Sequence, residues 1–172
     1  MHWVDIVYQS AAGEWMREAV RAMPVMEAVH IVSSGAVFGI ILFVDLRLLG
    51  RPDTRRPVTR LLRELIPPAW IAFALSAFTG AMMFAANAPT YVANTAFQLK
   101  MAALLAAGVN MGVFHIWTLR SAQEWDIDRV PPSAARAAAL LSMLLWAGLI
   151  VLGRWIGFTK GFDFTVPAGL TL

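Results

Sequence analysis

Four long apolar runs separated by short polar stretches dominate the chain, over about residues 24–49, 67–88, 96–120 and 134–158. Each supplies the roughly 20 residues that a helix needs to cross the hydrocarbon core of a bilayer. Pro24 and Pro67 stand where the first two runs begin, and a proline's missing N–H is harmless in the first turn of a helix. Residues 3–22 follow a different pattern. Val4, Val7, Tyr8, Ala11, Trp15, Ala19 and Met23 recur at helical spacing, while Glu14, Arg17, Glu18 and Arg21 fall mostly on the other side. That pattern predicts an amphipathic helix, lying in the membrane interface or packed on the protein itself. The predicted fold is all-α: a four-transmembrane-helix bundle preceded by an amphipathic interfacial N-terminal helix, forming a single integral membrane domain over residues 1–172.

Composition agrees with a membrane protein. Hydrophobic residues make up 59% of the 172 positions and charged residues 15%, against about 25% charged in a soluble domain. No cysteine is present, which excludes disulfides, thiolate metal sites, cysteine nucleophiles and covalently attached c-type haem. No phosphate-binding loop and no serine in a nucleophile elbow is visible. The first residues lack a basic stretch followed by an apolar one, so the first span is expected to act as its own uncleaved insertion signal.

The net charge of +3 gives no footprint for nucleic acid, because the basic residues are placed by topology. Arg47, Arg51, Arg55, Arg56, Arg60, Arg63, Arg120, Arg129 and Arg136 fall on one side of the predicted spans, nine of the 14 basic residues. Arg17, Arg21, Lys100, Arg154 and Lys160 fall on the other. The positive-inside rule then makes the 47–63 loop cytoplasmic and both termini periplasmic, in a bacterial inner membrane. Trp70, Trp117 and Trp155 lie near span ends, as interfacial anchors do.

Ionisable residues within spans are costly and usually functional. Glu27 and His30, three residues apart in "PVMEAVHIVS", lie roughly 5–10 Å inside the outer end of the first span, on the helical rise of 1.5 Å per residue. Lys100 and Arg154 enter the outer leaflet from the third and fourth spans. The four are expected to face inward and pair with one another. Asp45 and His115 make a second possible polar site near the opposite surface. His30 and His115 differ in depth by about 10–18 Å on the same rise, too far apart to ligate the two faces of one ion.

The set Trp15, Arg17, Pro24, Glu27 and His30, followed by "DLRLLG" at 45–50, Lys100 and "GRWIGF" at 153–158, resembles a family of small bacterial inner-membrane proteins without an established activity. In layout the chain is similar to CopD-like and cytochrome b561-like four-helix membrane proteins, which imply copper handling and haem electron transfer respectively. Only three histidines are present, so the four axial ligands of a two-haem bundle are lacking.

Three functions are therefore expected to compete. One b-type haem for electron transfer would take His30 as axial ligand, with Met82, Met83 or Met101 on the other face, Lys100 and Arg154 on its propionates, and Glu27 orienting a ligand or carrying a proton. A copper(I) site would draw on Met26, His30, Met82, Met83 and Met101, since thioether and imidazole suit that ion. A non-catalytic accessory or scaffold subunit of a larger membrane complex, or a homo-oligomer, would use the charges only to fix helix register. Transport of a small anion and binding of a quinone remain beside these. The expected partners are the lipid bilayer and, for electron transfer, a redox partner.

Overall fold

The computed structural model describes residues 2–50, 56–127 and 129–159. Arg51, Arg55, Lys160 and the tail beyond Thr159 lie outside the described residues. Two short helices, α1 (His2–Tyr8) and α2 (Ala11–Glu18), precede the long α3 (Ala22–Leu48) and α4 (Val58–Ala86). The short α5 (Ala88–Ala93) leads into α6 (Thr95–Val113). The chain continues through a π-helical turn (Phe114–Thr118) and a 3-10 turn (Leu119–Ser121) to α7 (Ala122–Trp125), and ends in α8 (Ser133–Thr159). Four helical segments, Ala22–Leu48, Val58–Ala86, Thr95–Thr118 and Ser133–Thr159, are long and apolar enough to cross a membrane. The protein is an all-helical, multi-pass membrane protein, and no strand occurs among the described residues.

The N-terminal segment is two helices rather than one. Ser10 breaks it: its hydroxyl donates to the Val7 carbonyl at 2.6 Å and accepts from the Gly13 N–H at 3.2 Å, ending one helix and capping the next. Both helices dock on the bundle, α2 against α4 and α3, α1 against α5. Val4 and Met16 are buried beneath them, while Trp3, Ile6 and Trp15 point outward.

The α4 helix begins nine residues before Pro67, so Pro67 and Pro68 lie inside it. These prolines remove the hydrogen bonds that would reach the carbonyls of Arg63 and Glu64. The loss falls in the polar first turns, and both prolines are exposed. Two interactions, one local and one long-range, support the start of the helix ahead of them. Arg60 and Glu64 pair one turn apart at 2.7 Å. Asp126 caps the start, accepting from the Thr59 N–H at 2.9 Å and from its hydroxyl at 2.7 Å.

The spans pack in the order α4–α3–α8–α6, and α4 makes no comparable contact with α6. Large apolar side chains such as Val32, Ile71, Leu105 and Leu144 are exposed on the outside, as suits a bundle whose solvent is hydrocarbon. At the arginine-rich end, Leu48, Val58, Leu62, Phe114, Ala122, Trp125, Ala135 and Ala139 form a core that closes the bundle. Buried Arg47 threads that end: its Nε donates to the Arg56 carbonyl and its Nη2 to the Asp126 carbonyl, both at 2.9 Å. At the opposite end the Asn94 amide donates to Thr159 Oγ1 at 2.8 Å, while its oxygen caps α6 through the Phe97 N–H.

Candidate functional site

A cavity of about 190 Å³ opens between all four spans in their arginine-rich half. Each helix contributes the part expected from antiparallel packing: the second half of α3, the first of α4, the second of α6 with its π turn, and the first of α8. The wall is overwhelmingly apolar and includes Trp70, Phe73, Phe114 and Trp146.

Its polar groups are few. Asp45 lies in the wall and is only 4% exposed. Ser142 on α8 is its hydrogen-bonding neighbour, yet Asp45 Oδ2 has no partner among the described residues. Asn110 spends its amide N–H on the Ala138 carbonyl of α8 at 3.0 Å, which ties α6 to α8 across the cavity. His115 sits in the π turn, and its Nδ1 donates to the Met111 carbonyl one turn back at 2.9 Å. That contact leaves Nε2 as the ring atom available to a ligand. Turns of π-helix often accompany functional sites.

Asp45 and His115 therefore line one cavity, although their similar depth was the only sign of it in the sequence. Ser142 gave no sign at all, because a serine in an apolar run is common and its neighbour lies far away in the chain. Asp45→Leu is expected to raise the thermal midpoint by a few degrees, since an unpartnered buried polar atom costs about 1–3 kcal/mol. A lower midpoint in a scan of the purified protein would contradict this account of Asp45.

The outer half differs. His30 Nδ1 donates to the Ser76 carbonyl of α4 at 2.9 Å, with Thr79 Oγ1 at 3.2 Å. A carbonyl only accepts, so the proton is on Nδ1 and the lone pair on Nε2. Gly80 allows this close seat, since a Cβ there would lie 3.2 Å from His30 Cε1. Beside it, Ser34 and Ser76 share a hydroxyl hydrogen bond of 2.7 Å between the same two helices. Glu27 and Lys100 both act electrostatically on the imidazole. Lys100 extends from α6 over Gly153 of α8, its Nζ 3.3 Å from where a Cβ would stand.

These groups do not pair as expected. Among the described residues none of Glu27, Lys100 and Arg154 makes a salt bridge, and Glu27 and Arg154 are exposed. Arg154 lies roughly opposite the buried face of α8 marked by Leu149 and Ile156, at 3.6 residues per turn. Its guanidinium packs over the Phe158 ring, 4.9 Å from the centroid. Glu27 lies toward α5 and, after burial itself, helps push the Tyr91 phenol up to about 12.

Methionines gather at this end. Buried Met16 and Met83 share one cluster with Met23, Met26 and Met82, drawn from α2, α3 and α4. Met101 belongs to α6 and lies outside that cluster. No group of three or more His, Asp or Glu side chains capable of holding a metal ion occurs among the described residues.

A family model described as a family of unknown function (DUF6644) matches residues 19–159, which takes in all four spans, both polar clusters and the cavity. No curated protein and no solved structure matches the chain. The likeness in layout to CopD-like and cytochrome b561-like proteins finds no support in these comparisons.

Proposed function

Because the chain belongs to this family of unknown function, the site has to carry the assignment, and we propose that the protein binds a small lipid-soluble ligand inside the membrane, in the cavity between its four spans. The observation that supports this is the Asp45 carboxyl, buried in an apolar wall with one oxygen unpartnered. Buried polar groups are nearly always hydrogen-bonded, and a ligand with a polar head supplies the missing bond. Ligand pockets of this kind are mostly apolar with a few placed polar groups. In the orientation proposed from the Lys and Arg distribution, the cavity lies in the cytoplasmic half of a bacterial inner membrane.

Filling the cavity tests the proposal. Ala107 is buried in its wall. Organic extracts of the purified protein should contain a lipid-soluble molecule near one per chain, and Ala107→Phe should lose it while remaining folded. Equal recovery from both proteins, or none from either, would count against the cavity as a binding site.

The outer half supports a second, separate proposal: a b-type haem on His30, or copper(I) on the clustered methionines. For haem, the support is the fixed tautomer, which leaves Nε2 of His30 open, and a half-buried Lys100 that makes no ion pair among the described residues and suits a propionate. For copper, it is the group of five thioethers at one end. Protein purified from a haem-replete host should show a Soret band that His30→Ala abolishes and His115→Ala leaves intact. A colourless preparation with about one copper per chain selects the metal instead. With neither, the accessory-subunit proposal gains.

A further inference from the structure

We propose that the occupant of the cavity is a quinone, its ring held between the four spans and its tail leaving sideways between α4 and α6. The inference rests on the proposal that the cavity binds a lipid-soluble ligand, and it names the ligand's class.

Access comes first. The helices α4 and α6 meet near their outer ends, where Phe84 and Phe97 stack at 5.5 Å, but they pack less closely than the other neighbouring pairs of spans, so the cavity has a side that no tightly packed helix pair seals. A second, more open hollow lies on that side and shares Leu62, Ile66 and His115 with the cavity wall. A ligand dissolved in the bilayer can enter here along Leu62, Ile66, Pro67 and Leu119, with Thr59, Arg63 and His115 the polar members of the lining. The gap also gives a long hydrocarbon tail a way out, which the volume of the cavity requires.

Shape comes next. Trp70, Phe73, Phe114 and Trp146 line the cavity. Flat aromatic side chains favour a planar ring, through offset or edge-on contacts.

The polar groups narrow the class. An acyl chain or another pure hydrocarbon would fill the space and leave Asp45 Oδ2 unsatisfied, at the full desolvation cost of that atom. A quinone has carbonyl oxygens on opposite edges of its ring. A carboxyl donates to such a carbonyl when protonated and accepts from the quinol hydroxyl when ionised. One side chain thus suits both redox forms. The second ring oxygen needs a partner toward the open side, where His115 forms the shared wall with Nε2 available.

The test uses the full-length protein in detergent micelles, with decylubiquinone as the probe and tryptophan fluorescence as the readout. Two of the seven tryptophans line the cavity, and quinones quench indole emission on contact. The quench should be saturable. Asp45→Leu should weaken apparent affinity at least tenfold, and Asp45→Asn less. Trp146→Phe should reduce the saturable amplitude, because it removes one of the two indoles that line the cavity. Decanol, which carries the tail without the ring, should compete at least a hundredfold less well. A quench that rises linearly with the quinone in the micelle, and equally in Asp45→Leu, would overturn the assignment. So would equal competition by decanol, which identifies a tail site. If quinone fails to bind while the extracts still yield another lipid-soluble molecule, the ligand class is wrong and the cavity remains a binding site. Empty extracts would instead remove the premise.

Discussion

Arg47→Ala is expected to lower the thermal midpoint of the purified protein more than any other single charge removal at the arginine-rich end. Its side chain is 3% exposed and donates to the carbonyls of Arg56 and Asp126, in the two segments that join α3 to α4 and α7 to α8. A hydrogen bond to a charged group contributes about 1.5–3 kcal/mol. Loss of two such bonds, both part-buried, gives a cost of about 3–5 kcal/mol. The same Asp126 caps α4 through Thr59, so release of the Asp126 backbone should also fray the start of that helix. Arg47→Lys should recover less than half of the loss, because one ammonium cannot span two divergent carbonyls as a guanidinium fork does. Differential scanning of detergent-solubilised variants would measure the midpoints, and limited proteolysis would show which segments open. An unchanged midpoint in Arg47→Ala would mean that the threading contacts contribute nothing.

The second large effect is expected at Gly13. Alanine in place of a mid-helix glycine usually stabilises by roughly 0.5–1 kcal/mol. Here the sign reverses. A Cβ on Gly13 would lie 2.6 Å from the Tyr8 carbonyl oxygen and 2.7 Å from that of Ala85, and both are backbone atoms that cannot swing aside. Overpacking of this kind costs about 1–3 kcal/mol, which outweighs the gain. The helix α2 must then lift off α4. With it goes Arg17, whose Nη1 donates to the Tyr8 carbonyl at 2.8 Å and more weakly to that of Ala86, and whose guanidinium lies 4.0 Å over the Tyr8 ring. Gly13→Val should detach the N-terminal pair, so that trypsin cuts at Arg17 and Arg21 at least tenfold faster, while the four spans stay intact. Cleavage at the wild-type rate would show that α2 tolerates the side chain.

Much of this architecture was legible in the sequence, because hydrocarbon leaves a simple mark. A run of some 20 apolar residues has few options other than a spanning helix. The errors sit at the ends, where water and headgroups relax that demand. Pro67 looked like a first-turn residue because it precedes the apolar run, but α4 starts in the polar segment before it, under the control of Asp126 from another part of the chain. Ser10 divided a pattern that helical spacing alone read as continuous. Depth along a helix follows from the rise per residue, whereas the rotation of each span about its axis does not. Glu27, His30, Lys100 and Arg154 were placed at one level from the 1.5 Å rise, yet rotation turns Arg154 outward onto Phe158. The cavity was invisible for the same reason. Its presence depends on α4 and α6 packing less closely than the other neighbouring spans, which no local pattern records.

The looser α4–α6 side also bears on how the protein is assembled. Helices α3 and α4 follow one another in the chain and pack together, as do α6 and α8. Each hairpin can form as soon as its own residues have entered the bilayer. The α3–α8 seam is the contact that must wait, since it joins the first span to the last. Until α8 arrives the nascent chain is the α3–α4 hairpin and an α6 that lacks its main partner, and Asp45 has neither Ser142 beside it nor Trp146 in the same cavity wall. The pocket is thus a late product of biosynthesis, completed when α8 packs against α3.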